Sequence, residues 1–347
     1  MIKIGDRIIG DNSPAFIIAE AGVNHSGSVE LAKKMIDAAV EAGADAIKFQ
    51  IFKAENLVIK SAEKAEYQKR TTGENESQYD MLKKLELTYD QHIELMKYCQ
   101  QKRIIYLSTP FDFESADVLD KCDVAAYKIG SGDITNLPLI EYIARRNKPM
   151  IISTGMADLG EIEDAIDIIR KTGNEKIILL HCVSNYPADY RDVNLNAMLT
   201  LKNAFKFPVG YSDHTLGIEI PIAAVALGAK VIEKHFTLDR NLPGPDHKAS
   251  LEPFELKQMI KSIRNVECSM GDGIKKCTYV EENARKVARK SLVAACDIRR
   301  GMVIEKEMLT VKRPGTGIPP KDIGYIVGRK AKIDILKDTL INLDMLE

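Results

Sequence analysis

The chain has 347 residues, with 49 Lys and Arg against 50 Asp and Glu, a formal net charge of −1 and 45% hydrophobic residues. That balance excludes proteins relying on a concentrated basic face, such as nucleic-acid and membrane-surface binders. The N-terminus lacks a signal-peptide pattern, no apolar run approaches the ~20 residues that span a bilayer, and six scattered Cys without CxxC spacing suit reduced thiols in a cytoplasm.

In chain order, β-rich runs at Phe16–Ala21, Ala46–Phe52, Ile104–Thr109 and Ala125–Gly130 are followed by runs at Met150–Thr154, Ile177–Cys182, Val209–His214 and Val231–Phe236. Helical patterns lie between them at Val29–Ala42, Gln91–Lys102, Ser115–Lys121 and Pro138–Arg146, then at Leu159–Lys171, Asn194–Ala204, Glu219–Leu227 and Pro253–Met270. Eight strands each followed by a helix predict an α/β fold, a closed (β/α)₈ TIM barrel over residues 1–270. An open doubly wound sheet is disfavoured because Glu20-Ala-Gly-Val-Asn-His is not a GxGxxG phosphate loop. Residues 60–88 interrupt the alternation. There, Lys60–Lys69 reads as helix and the segment from Thr71 to Ser77 as polar loop, an insertion placed to act as a lid or substrate-facing loop. After a linker at 271–284, residues 285–347 predict a small β-rich domain, too short to build a large core alone.

Function is read from the strand ends. Barrel active sites lie at the C-terminal ends of the strands, and residues two apart share a face. Each strand here starts apolar and ends polar: Glu20; Lys48 and Gln50; Ser108 and Thr109; Lys128 with Ser131 just beyond; Ser153 and Thr154; His181; Ser212 and His214; Glu233 and His235. Burying charge is costly unless it is paired, so a purely structural core gives no reason for this pattern. His214 and His235, with Ser212 and Glu233 on their faces, can bind a borderline divalent cation such as Mn²⁺, Co²⁺ or Zn²⁺. A lone His in such a place is more often a satisfied core residue, but two on neighbouring strand ends favour the ligand reading. Asp246, shortly after the last strand, is placed to position a hydroxyl or a water. Lys48 and Lys128 aim two cations at one mouth. They either pair with Glu20 or Asp133 or hold an anionic substrate, with Thr109, Ser131, Ser153 and Ser212 as hydroxyl donors. A Schiff-base lysine is the alternative.

Ala19-Glu-Ala-Gly-Val-Asn-His, Ala46-Ile-Lys-Phe-Gln, Leu107-Ser-Thr-Pro-Phe, Tyr127-Lys-Ile-Gly-Ser-Gly, Ile152-Ser-Thr-Gly-Met, Gly210-Tyr-Ser-Asp-His-Thr, Ile232-Glu-Lys-His-Phe-Thr and Gly244-Pro-Asp follow one another in this order. In this the chain resembles the sialic-acid (nonulosonate) synthases. Its tail, with Ala288-Arg-Lys-Ser-Leu-Val-Ala and Val311-Lys-Arg-Pro-Gly-Thr-Gly, is similar to that family's antifreeze-like (SAF) domain.

The resemblance implies a metal-dependent condensation of phosphoenolpyruvate with an N-acetylated mannose-type sugar, yielding a nine-carbon 2-keto acid and phosphate. It implies a divalent ion on His214 and His235, Mn²⁺ foremost with Co²⁺ or Mg²⁺ as alternatives, and a water oriented by Glu20 or Asp246. Lys48, Thr109, Lys128, Ser131, Ser153, Ser184 and Ser212 match phosphoenolpyruvate-gripping positions. Gln50, Asp133, Tyr186 and Glu233 match sugar- or water-facing ones. Arg313 is implied to reach the sugar from the partner subunit of a domain-swapped homodimer. Two positions depart from the family's neuraminate-forming pattern: Asp133 stands where they carry Glu, and Val183-Ser-Asn-Tyr stands where they carry Thr-Asn-Ile-Tyr. Residues 63–87 and the segment from Gly244 to Pro253 look more like the branch making N,N'-diacetyllegionaminate, with N-acetylneuraminate synthase as the alternative.

Overall fold

A computed structural model describes residues 1–347 as two compact units, Met1–Met270 and Gly271–Glu347. The first opens with a hairpin of β1 (Ile2–Ile4) and β2 (Arg7–Ile9). It continues through β3 (Phe16–Gly22), α1 (Val29–Ala42), β4 (Ala46–Ile51) and three short helices, α2 (Ala54–Leu57), α3 (Glu66–Thr72) and α4 (Gln78–Leu85). Then come α5 (Tyr89–Lys102), β5 (Ile105–Pro110), α6 (Phe113–Lys121), β6 (Tyr127–Ile129), α7 (Leu137–Ala144) and β7 (Met150–Ser153). The unit ends with α8 (Leu159–Lys171), β8 (Ile177–Cys182), α9 (Asn196–Phe205), β9 (Val209–Asp213), α10 (Glu219–Ala226), β10 (Val231–His235) and α11 (Pro253–Ser269).

Strands β3 to β10 form one eight-stranded sheet in the order β5-β4-β3-β10-β9-β8-β7-β6, every ladder parallel. The last strand pairs with the first, and β5 lies beside β6 at the remaining seam. This is the predicted TIM barrel.

Its two layers follow from the period-2 pattern. Ile17, Ile47, Phe49, Ile152, Leu179 and Ile232 point out against the helices. Phe16, Ile18, Leu107, Ile151, Ile178, Leu180 and Val231 point in and fill the lower barrel. Ile2, Ile4 and Ile9 of the hairpin join this inner cluster, closing the bottom of the barrel. The first run that the sequence pattern predicts begins at Phe16, after this hairpin. Its role is visible only once the strands it plugs are assembled.

The insertion differs from expectation. Lys60–Ala65 is not helical, and the helix begins at Glu66 and includes Thr71 and Thr72. The Gln68 side chain accepts from the Ala65 backbone N–H at 3.0 Å, which fixes that start. The Ser77 hydroxyl then caps α4 by accepting from the Asp80 N–H at 3.2 Å. Met81, Leu82 and Leu85 pack with Val23, Phe52 and Ala54 as a satellite core, so the insertion is anchored rather than merely solvated.

The second unit contains α12 (Glu282–Ala288) and an antiparallel pair, β11 (Ser291–Ala294) with β12 (Leu309–Lys312). Isolated bridges such as Ile298 to Ile335 complete a β-rich wrap around Leu292, Ile304, Ile326 and Ile341. No helix of the protein is long and apolar enough to cross a membrane.

Candidate active site

At the upper end of the barrel the inward positions switch from apolar to charged, and a cavity of about 320 Å³ opens there. Glu20 and Lys48 are register partners on β3 and β4, and their charges meet at 2.9 Å. Lys48 also lies 3.7 Å from Glu233 Oε1 and donates to Thr109 Oγ1 at 3.2 Å. Lys128 sits 3.9 Å from the same Glu233 oxygen and donates to Ser153 Oγ at 2.6 Å and to the Ile129 carbonyl at 2.9 Å. The Ser212 hydroxyl donates to Glu233 at 3.1 Å. Two cations and two carboxylates are thus held in one buried cluster, with Glu20 Oε2 and Glu233 Oε2 left without partners.

Burial sets the protonation states. It raises the Glu20 carboxyl to about 7 despite Lys48. It also pushes Glu233 upward, but Lys128 and Lys48 outweigh it and hold Glu233 below the ordinary carboxylate range. Lys48 stays firmly charged because Glu20 and Glu233 overcome its desolvation. Lys128 is shifted down by burial and by the charge of Lys48. Asp246, buried and out of reach of a cation, is raised to about 6 by burial.

His214 and His235 close β9 and β10 with ring centroids 5.5 Å apart, both facing the cavity. Burial lowers the pKa of both imidazoles and keeps them neutral, and the charges of nearby Lys48 and Lys128 add to the depression of His235. His214 Nδ1 lies 2.6 Å from the Val183 carbonyl, which can only accept, so Nε2 carries a free lone pair. His235 Nδ1 is buried without a partner. Two neutral imidazoles, one oriented by a backbone carbonyl and one orphaned, fit a divalent cation. No third His, Cys, Asp or Glu joins them as a ready-made metal cluster, so further ligands would come from substrate or water.

The remaining predicted residues divide. Gln50, Ser131, Ser184 and Tyr186 line the same cavity. The Ser184 hydroxyl is buried and unpartnered, so the departure from the family pattern still presents a polar group. A Cβ at Gly155 would lie 2.4 Å from Ser184 Oγ and 2.8 Å from Ser131 Oγ, so any side chain there would displace these two hydroxyls. Asp133 lies just past Ser131 and Gly132, accepting from Asn136 Nδ2 at 3.1 Å. Asp246 does not line the cavity but lies near enough to Tyr67 and Tyr186 for its charge to add to burial in keeping their phenols protonated. Arg313 is exposed in the second unit.

Three rim assignments are corrected. Ser108 and Thr154 occupy the alternate positions beside Thr109 and Ser153 and do not line the cavity; Thr154 Oγ1 donates instead to the Leu180 carbonyl at 3.1 Å. His181 turns out of the barrel, its Nε2 2.7 Å from the Val193 carbonyl and its ring against Tyr211. Cys182, one position on, faces in, with Sγ 3.1 Å from Ser131 Oγ. Counting in twos from Leu180 identifies Cys182, but its low polarity hid it. Tyr67 and Phe111 also line the cavity and carried no barrel signal. A larger cavity, about 420 Å³ at the opposite barrel end, is bordered by Lys202, Lys206 and Lys230, the first and last engaged with Asp11, and has none of this chemistry.

A TIM barrel whose strand ends join paired lysines and carboxylates to two neutral imidazoles is a barrel enzyme built for an anionic substrate. The chain belongs to the NeuB family, whose profile matches residues 35–275, and it carries a SAF domain at 289–347. It is 52% identical over 327 residues to N,N'-diacetyllegionaminic acid synthase of Campylobacter jejuni, covering 94% of this chain and 98% of that one. To the synthase of the same name from Legionella pneumophila it is 49% identical over 342 residues, 97% and 96% of the two chains. Among solved structures, N-acetylneuraminic acid synthetase from Leptospira borgpetersenii superposes with a TM-score of 0.72 at 40% identity, covering 82% of this chain and 94% of that one.

Proposed function

We propose that the protein condenses phosphoenolpyruvate with an N-acetylated mannose-type sugar, and that its acceptor is 2,4-diacetamido-2,4,6-trideoxymannose, making it an N,N'-diacetyllegionaminate synthase. The observation that carries this reading is the Lys48–Glu20–Glu233–Lys128 cluster beside two neutral imidazoles. The two relatives near 50% identity support the choice of acceptor.

Lys48, Lys128 and the hydroxyls of Thr109, Ser131, Ser153, Ser184 and Ser212 hold the phosphate and carboxylate of phosphoenolpyruvate. His214 and His235 would hold a divalent cation, Mn²⁺ foremost, which when bound would supply Lewis-acid polarisation of the sugar aldehyde. Carbon 3 of phosphoenolpyruvate forms the new bond to the aldehyde carbon, and the aldehyde oxygen takes up a proton. Water adds to carbon 2 and gives up one proton, which balances the one taken by the aldehyde oxygen; as the C–O bond to phosphate breaks, the new carbon-2 hydroxyl passes its remaining proton to the departing phosphate and becomes the ketone. Glu20, raised to about 7, is poised to hold and return these protons near neutrality. Asp246, raised to about 6, is a second candidate from the sugar side.

Phosphate release from phosphoenolpyruvate, measured with the diacetamido-trideoxy sugar and with N-acetylmannosamine side by side, tests the reading. Higher kcat/KM with N-acetylmannosamine would instead make the protein an N-acetylneuraminate synthase. A Schiff-base aldolase is favoured by one observation, the downward shift of Lys128. Borohydride with pyruvate should trap no adduct on Lys128, whose ammonium is committed to Ser153 and the Ile129 carbonyl.

A further inference from the structure

We propose that Tyr67, which the barrel does not supply, is a specificity-determining residue for the acceptor sugar: its ring roofs the sugar subsite and its hydroxyl donates a hydrogen bond to the bound sugar. This rests on the reading of the second substrate as a sugar.

Tyr67 comes from α3 of the insertion, yet it borders the cavity at the barrel mouth. Its ring centroid lies 4.9 Å from that of Tyr186, which in turn lies 4.2 Å from His214 and 5.5 Å from His235. An aromatic stack therefore runs from the insertion down to the two imidazoles. Phosphoenolpyruvate needs no such surface, since its charged groups belong with the lysines and serines on the other side. A sugar bearing acetamido methyls or a deoxy carbon does present apolar patches, and an aromatic face buries them.

The Tyr67 hydroxyl accepts from Gln68 Nε2 at 3.3 Å and donates to no protein group. Burial, with the charge of Asp246, keeps its proton on, so the donor is available at any physiological pH. A half-buried phenol with an unspent donor beside a buried carboxylate is arranged for a ligand that brings an acceptor, such as an acetamido carbonyl or a hydroxyl.

The ring is held before any ligand arrives. Gln68 is buried, and its Oε1 accepts from the Ala65 N–H at 3.0 Å and from Gln78 Nε2 at 3.3 Å. Buried Lys64 donates to Thr72 Oγ1 at 3.0 Å and pairs with Glu76 at 3.4 Å, fastening both ends of α3. Pre-ordering spares the entropy of arranging a roof at binding.

Steady-state kinetics on the full-length protein test this, using whichever of the two sugars the wild type turns over faster. Tyr67→Phe keeps the ring and removes the hydroxyl, losing the bond to the sugar and, in free and bound states alike, the one accepted from Gln68 Nε2; it should raise the sugar KM about fivefold, as expected for one hydrogen bond. Tyr67→Ala also removes the roof and should lower kcat/KM for the sugar by about thirtyfold or more. In both variants the phosphoenolpyruvate KM should stay within about twofold of wild type, as separate subsites require. An unchanged sugar KM in both, or an equal rise in the phosphoenolpyruvate KM, overturns the proposal. If Tyr67→Ala fails to fold, Tyr67→Phe and Tyr67→Leu decide by the same measurements. A wild type that turns over neither sugar would defeat the proposed function, whereas normal wild-type turnover with inert Tyr67 variants defeats only this inference.

Discussion

Glu20 and Lys48, side by side on adjacent strands, meet at 2.9 Å with both side chains almost wholly sealed from water. A buried pair of this kind is a poor source of net stability, because desolvation offsets most of the attraction, but breaking one half is expensive. Lys48→Met should therefore destabilise the protein by about 3–5 kcal/mol, leaving Glu20 and Glu233 to share one remaining lysine. Adding Glu20→Gln should recover a large part of that loss while leaving the enzyme inactive. Denaturant unfolding of the four proteins of this double-mutant cycle measures it. Additive losses would mean that the two groups do not depend on each other.

The Glu20 carboxyl titrates in the wrong direction for an ordinary ion pair. Its native pKa of about 7 lies above the unfolded value of 4.5, so the folded protein binds more protons between those limits. Stability from this group is complete below about pH 4.5 and falls as pH rises through about 7. Glu20→Gln removes the titration. In EDTA-treated protein, the melting temperature of the variant relative to wild type should rise between pH 5 and pH 8. A difference that stays flat across that window contradicts the assigned shift.

Much of the site could be read from the sequence because a barrel strand is a simple ruler. Inward positions two apart yield Ser212 on β9 with His214 just past its end, Glu233 and His235 on β10, and Lys48 and Gln50 on β4, all of which line the cavity. The same ruler explains what went astray. His181 looked functional because it is polar, yet it occupies an outward position, while Cys182 occupies the inward one. Asp213 and Lys234 lie within the same motifs as His214 and His235 but face outward, pairing at 2.5 Å as a buried structural link between neighbouring strands. Tyr67 was illegible for a different reason. It reaches the mouth through the packing of Met81, Leu82 and Leu85 on Val23 and Phe52, contacts between distant segments that no local periodicity records. The N-terminal hairpin is alike in this, since Ile2, Ile4 and Ile9 acquire meaning only against the barrel floor.

If His214 and His235 hold the catalytic ion, chelation should abolish turnover and added Mn²⁺ should restore it. His235→Ala should lose activity on the order of a hundredfold or more, as expected for direct loss of a ligand when outer-shell losses alone reach that scale. His235 makes no hydrogen bond at Nδ1 within the protein, so its removal should leave the fold intact by circular dichroism. Calorimetric titration with Mn²⁺ gives a readout independent of turnover: binding to the wild type and none to the variant. Equal binding by both proteins would take the ion away from this pair.

Arg313 is exposed in the second unit, and the resemblance implies that it would serve the sugar subsite of a partner subunit if the protein is a homodimer. That assignment predicts complementation between two impaired chains. Arg313→Ala keeps an intact barrel but offers its partner no guanidinium, and His235→Ala keeps the guanidinium on a dead barrel. Each alone should be nearly inactive with the acceptor sugar. Co-refolded or co-expressed, they form mixed dimers in which the intact barrel of the first chain receives Arg313 from the second. Random pairing makes half of all dimers mixed, and each mixed dimer has one complete site, so about a quarter of wild-type activity should return, provided sites act independently. Arg313 working within its own chain gives a different result, because no mixed dimer would then hold a complete site and activity would stay at the level of the two variants assayed apart.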